Sequence, residues 1–217
     1  MHVKQKADKK LTVLVSSTVY GVEELLDRVY TLLTGFGYEV WMSHKGTIPV
    51  RSDRTAFENC LAAVEKCDLF LGIITPNYGS GQDKQNPNEL SITHQEVRQA
   101  IQLNKPRWLL AHEHVVFAWS LLKNLGHKDK ASRKKLSPAF KRTPILDDLR
   151  VLDLYEEAIV DELPLPARNG NWVQKFRSTN DGSLFVASQF FRYQEVEQFI
   201  KEDFESGNPL RKKGGKA

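Results

Sequence analysis

The run Asp68-Leu69-Phe70-Leu71-Gly72-Ile73-Ile74-Thr75 constrains the fold of this chain most. It is too short for a buried helix and apolar on both faces, so it reads as a buried strand. Flanking segments supply the rest of an alternating pattern. Leu11 to Val15 is a β-rich run ending in Ser16-Ser17-Thr18. Val22, Leu25, Leu26, Val29, Leu32, Leu33 and Phe36 then recur at spacings of three and four, which predicts an amphipathic helix closed by Gly35 and Gly37. Tyr38 to Met42 reads as a second strand. Asp53 is expected to cap a second helix with Phe57, Leu61 and Val64 inward. After the apolar strand come a polar loop, a helix over Ile92 to Leu103, the turn Asn104-Lys105-Pro106 and a strand over Arg107 to Ala111. This β-α-β-α-β-α-β order predicts an α/β fold, a parallel sheet flanked by helices, over residues 11–112.

Residues 113–205 are less regular and predict a mixed α+β extension that completes or packs on the same domain. A helix is expected over Glu113 to Leu125 and a fifth strand over Arg150 to Leu154. Trp172 to Phe176 and Leu184 to Ala187 read as strands of a hairpin around Asn180-Asp181-Gly182. A last helix is expected over Ser188 to Phe204, with Tyr193, Val196, Ile200 and Phe204 along one side. Residues 1–10 and the Gly- and Lys-rich tail 206–217 are expected to be disordered.

Composition removes several classes. Apolar residues at 41% suffice for a core. No apolar run approaches a membrane span, and the N-terminus is polar rather than signal-like, so a cytoplasmic protein with no membrane contact is expected. The two cysteines, Cys60 and Cys67, suit a reducing compartment. Cys60 joins the stripe of Phe57, Leu61 and Val64 as a buried thiol, and no metal site is expected. The net charge of +4 hides an asymmetry. Eight basic residues stand against one acid between Lys123 and Arg142, and seven acids against one base between Asp147 and Glu162. The aromatic interleaving of a nucleic-acid platform is missing, so the basic stretch is expected to be mobile or to lie near the acidic one rather than to bind nucleic acid.

Right-handed crossovers put the loops after the strands on one edge, where open α/β sheets bind ligands. Ser16 to Thr18, Ser43 to Asp53 and Thr75 to Glu96 converge there. The turn Ser16-Ser17-Thr18-Val19-Tyr20-Gly21 is neither GxGxxG nor a Walker loop, and the second strand lacks a terminal acid for a ribose. A hydride-transfer Rossmann enzyme and a P-loop NTPase are therefore not expected, nor is a phospho-acceptor receiver, because no Asp ends the third strand. Glu96, about one turn into its helix, is the candidate catalytic carboxylate. Such a group can stabilise positive charge on a ribose or attack it. The plainer alternative is a first-turn Glu that favours the helix dipole, worth about 0.3–1 kcal/mol. On that basis Glu96→Gln would leave stability nearly unchanged. Ser16, Ser17 and Thr18 offer hydroxyl and backbone N–H groups to phosphate or ribose, or simply cap the helix. Tyr78 can stack on a base, and Gly79 lets backbone approach a ligand, or both sit in an ordinary loop. Ser17, Tyr78 and Glu96 are expected around one pocket. His94 points to another helix face than Glu96, which argues against a His–Glu dyad.

Val13-Leu14-Val15-Ser16-Ser17-Thr18-Val19-Tyr20, then Cys67 to Ile74 with Tyr78-Gly79, then Ser91-Ile92-Thr93 with Glu96, resemble a bacterial domain of unknown function, the 4062 type. That domain is related to Toll/interleukin-1-receptor (TIR) domains and nucleoside deoxyribosyltransferases. The resemblance covers roughly Leu11 to Ala111. It implies a flavodoxin-like, TIR-like fold and, in some branches, cleavage of an N-glycosidic bond by a Glu at the position of Glu96. It further implies ligand contacts from Ser16, Ser17, Thr18, Tyr20, Tyr78, Gly79 and Thr93. No cofactor is required; NAD or a related nucleotide or nucleoside is the expected substrate or ligand. The alternative is a non-enzymatic nucleotide-sensing or protein-interaction module of a signalling or defence system, with a protein partner on the C-terminal half or self-association.

Overall fold

Four parallel pairings build one sheet. Thr12–Ser17 (β1) pairs with Glu39–Trp41 (β2) on one side and Leu69–Ile74 (β3) on the other. Arg107–His112 (β4) then pairs with β3, and Val173–Phe176 (β5) with β4. The order is β2-β1-β3-β4-β5. The structure, a computed structural model, describes residues 10–79, 90–137, 139–143, 145–192 and 195–196. Apart from Lys10, the two expected disordered ends lie outside them, as do most of the expected last helix and most of the polar loop before Ser91.

All six residues of β3 are buried, as its apolar run requires of a central strand. Their alternation divides the core. Phe70 and Ile74 face one layer with Val97, Leu109 and Leu152, while Leu69, Leu71 and Ile73 face the other with Leu25, Val29 and Phe190. The first layer holds Ala56–Lys66 (α2), Ile92–Gln102 (α3), Glu113–Asn124 (α4) and Arg150–Ile159 (α6). Glu23–Gly35 (α1) and Thr179–Phe190 (α7) cover the second. The short Lys130–Leu136 (α5) lies at the rim of the first layer. Among the described residues no helix is long and apolar enough to cross a membrane.

Three local expectations fail for identifiable reasons. Arg150 to Leu154 is not a strand but the start of α6. Val151, Leu154, Tyr155 and Ala158 are buried at helical spacing, a period that a five-residue window hides. Asn180-Asp181-Gly182 is not a hairpin turn, and Leu184 to Ala187 is not a strand. Ser178 and Asp181 form a capping box that starts α7, so the polar cluster is a helix start rather than a strand break. Asp53 does not cap α2. Thr55 does, with Glu58 closing the box, while Asp53 pairs with Arg51. The expected strand over Trp172 to Phe176 does form, and it extends the sheet as β5.

The opposite charge blocks meet as expected. Lys123 pairs with Asp161 at 2.8 Å, and Arg142 approaches Asp147 at 3.7 Å. Arg133, almost fully buried on α5, donates to both Asp153 and Glu156 on α6. Burial pushes the Asp153 carboxyl up, against the pull of Arg133.

Candidate functional site

Strand order reverses direction between β1 and β3, so the crevice past their carboxyl ends is the switch point of this sheet. Ser16 lies near the end of β1, and Glu96 is the fifth residue of α3, the helix that follows β3. Ser91 caps that helix by accepting from the His94 N–H. Ser16 Oγ donates to Glu96 Oε2 at 2.6 Å. Both side chains are buried, Ser16 at 2% exposure and Glu96 at 5%. The third member of the cluster is Cys60, whose thiol hydrogen-bonds Glu96 from α2. Sequence reading placed Cys60 only in an apolar stripe. Its role is invisible until α2 and α3 are packed side by side.

The two loops at this edge are stitched together beside that pair. The Thr18 and Thr75 hydroxyls are hydrogen-bonded to each other and both stand 3.0 Å from the Asn77 carbonyl, which accepts from the one whose proton is not used between them. The Asn77 amide donates to the Tyr20 carbonyl. Ser17 turns its hydroxyl to the Thr18 carbonyl and does not touch Glu96. Tyr20 is 65% exposed at the rim, whereas Thr93 is buried in α3. Tyr78 takes another direction. Its hydroxyl shares a 2.9 Å hydrogen bond with His94 Nδ1 and accepts from the Ser91 N–H, and the Arg150 guanidinium covers its ring. Ser16 rather than Ser17 therefore meets Glu96, and Tyr78 faces the α6 side.

Residues 12–205 match the family described as a domain of unknown function, DUF4062. The chain belongs to that family. No curated protein matches it. The family match continues well past Ala111, where the resemblance read from motifs stops, and takes in α4 to α7 and β5. That agrees with β5 hydrogen-bonding into the same sheet.

Within this DUF4062 domain the electrostatics of α3 differ from one face to the other. Burial pushes the Glu96 carboxyl up to about 7, against the hydrogen bonds from Ser16 and Cys60 that pull it down. Among the described residues no cation pairs with it. Burial also pushes the Cys60 thiol up to about 12, with the Glu96 charge adding to the effect. Cys60 therefore stays a protonated donor and not a nucleophile. On the opposite face His94, fully buried, lies 3.2 Å from Glu157, which also pairs with Arg98. Burial would raise Glu157, but His94 and Arg98 outweigh it and hold that carboxyl at about 2. One helix thus carries a neutralised carboxylate contact on one face and an uncompensated carboxyl on the other. The second is the one at the switch point.

Gly79 closes the stitched loops. Its φ is +93°, and a Cβ there would stand 2.5 Å from Thr18 Cγ2. Thr18 cannot swing aside without breaking its bonds to Thr75 and Asn77. Gly79→Ala is expected to lower stability by about 1–3 kcal/mol, combining a left-handed backbone with overpacking. Urea unfolding measures this, and a loss under about 0.5 kcal/mol would show that the loops part at little cost.

Proposed function

We propose that this domain is a TIR-like nucleotide-binding hydrolase that cleaves the N-glycosidic bond of NAD or a related nucleotide, with Glu96 as its catalytic residue. One observation carries the reading. A buried carboxyl, with no cation beside it among the described residues and held by Ser16 at 2.6 Å, lies past the carboxyl ends of β1 and β3, the edge at which doubly wound sheets bind ligands. Evolution tolerates such a group poorly for stability alone, because burying an unpaired charge is costly. In NAD the bond from the ribose C1′ to the ring nitrogen breaks, and its electron pair neutralises the departing pyridinium, so that leaving group needs no proton. Positive charge appears on C1′ and the ring oxygen. Ionised Glu96 stabilises it, and water completes the hydrolysis, losing a proton. Near its pKa of about 7 the carboxyl is substantially ionised at neutral pH, and a cation developing next to it draws it further.

Ser16 keeps the carboxylate oriented. The Ser17–Thr18 turn offers N–H and hydroxyl groups to ribose or phosphate, Gly79 and Thr93 shape the crevice, and exposed Tyr20 offers a face to the base. Tyr78 supports the loop from behind, since Arg150 already covers its ring. The test is incubation with NAD and a panel of nucleosides and nucleotides, followed by detection of free base. Release that disappears in Glu96→Gln supports the reading.

The tight closure of Ser16 and Glu96 favours a second reading, a nucleotide-sensing or protein-interaction module without turnover. Wild-type protein that binds NAD but frees no base from any compound in the panel would favour that reading over the first.

A further inference from the structure

A second crevice lies behind the Tyr78 loop, separate from the Ser16–Glu96 pair. It is a groove of about 580 Å³ lined by α5, by Phe140, Arg142, Asp147 and Asp148, by the start of α6 and by Leu90. That volume lies within the range of small-molecule sites. Among the described residues, five cations and three carboxylates line it. Each carboxylate is already engaged. Asp153 accepts from Arg133, Asp148 from Arg150, and Asp147 accepts from the Tyr78 N–H at 2.7 Å while facing Arg142. Lys130 and Lys134 remain. Both are exposed, and neither forms an ion pair among the described residues. They stand four apart on α5, hence on one helix face, where like charges repel. Phe140, Leu149 and Leu90 supply an apolar wall beside them.

We infer that this groove binds a small phosphorylated ligand carrying an apolar ring, of about mononucleotide size. The surplus lysines meet the phosphates as point charges, and the apolar wall takes the ring. A compact ligand is favoured over an extended nucleic acid because Lys123, Arg133 and Arg142 of this block are paired with the acidic one, and because the two groove lysines stand beside an apolar wall. Asp147 and Arg150 both line the groove and hold Tyr78 from behind, so an occupant would touch the residues that support the loop after β3.

The test is calorimetric titration of the full chain with ATP, repeated on Lys130→Gln/Lys134→Gln and on Lys66→Gln as a distant surface control. The two groove lysines are exposed and unbridged, so their loss leaves the fold intact; a circular dichroism melt checks this. The expected result is binding weakened at least tenfold in the double variant and unchanged in Lys66→Gln. No ATP binding by the wild type, or equal binding by the double variant, overturns the assignment. Tighter binding of a single-stranded oligonucleotide than of ATP, lost in the same double variant, would overturn it in favour of a nucleic-acid surface.

Discussion

Glu96→Gln is expected to slow base release from NAD by about a hundredfold or more, close to 3 kcal/mol of transition-state stabilisation. The substitution keeps size and an acceptor for the Ser16 hydroxyl, and it removes the only negative charge in the buried cluster with Ser16 and Cys60. Ground-state binding should change little, so kcat falls rather than KM rising. Full-rate release by the variant would take Glu96 out of the chemistry. The same variant has a second signature that does not depend on substrate. The Glu96 pKa is raised from 4.5 to about 7 in the folded chain. Between those values the folded protein keeps a proton that the unfolded chain has lost, so wild-type stability falls as pH rises through this window. Below it the group costs nothing; above it the full cost of a buried charge is present. The shift corresponds to roughly 3 kcal/mol. Glu96→Gln should therefore melt higher than wild type at pH 8 and alike at pH 4. Melting curves that stay parallel from pH 4 to 8 would show that Glu96 is hydrated in solution. The small dipole effect expected of a first-turn glutamate does not apply, because the side chain is buried and sits past the first turn.

Arg133→Ala should cost about 3–5 kcal/mol, because it leaves Asp153 and Glu156 facing each other without their cation. The loss comes mostly from the orphaned carboxylates and not from a vanished attraction. Arg133→Ala combined with Asp153→Asn and Glu156→Gln should thus recover a good part of it. Urea denaturation of the single and triple variants reads both outcomes. A single-variant loss below about 1 kcal/mol would mean that α5 detaches and lets water reach the acids.

The sheet was legible because its signals are local. An apolar run in β3, a spacing of three and four in α1, and helix starts after strands suffice to place Ser16 and Glu96 on one edge. The pairing of opposite charge blocks was legible from sign and separation alone. The partners of individual side chains were not. That Ser16 and not Ser17 turns inward depends on strand register, since neighbours in a strand face opposite sides. That Cys60 touches Glu96 depends on how α2 and α3 pack. Tyr78 looked like a ligand aromatic because nothing in its own loop announces His94 or Arg150 as partners. In the second half α6 was missed because its apolar positions fill a short β-like word, and α7 because its capping box imitates a turn.

The position of β5 has a consequence for how the chain comes to be folded. β5 joins β4 only after α4, α5 and α6 have intervened, and α7 lies against α1, near the opposite end of the chain. The apolar face of α1, with Leu25 and Val29, meets Val186 and Phe190 only when α7 exists. During synthesis the N-terminal half therefore emerges with an open sheet edge and one bare helix face, and it must wait for most of the chain before either is covered. In that interval the open edge and the bare helix face are the surfaces through which the nascent domain is most exposed to aggregation.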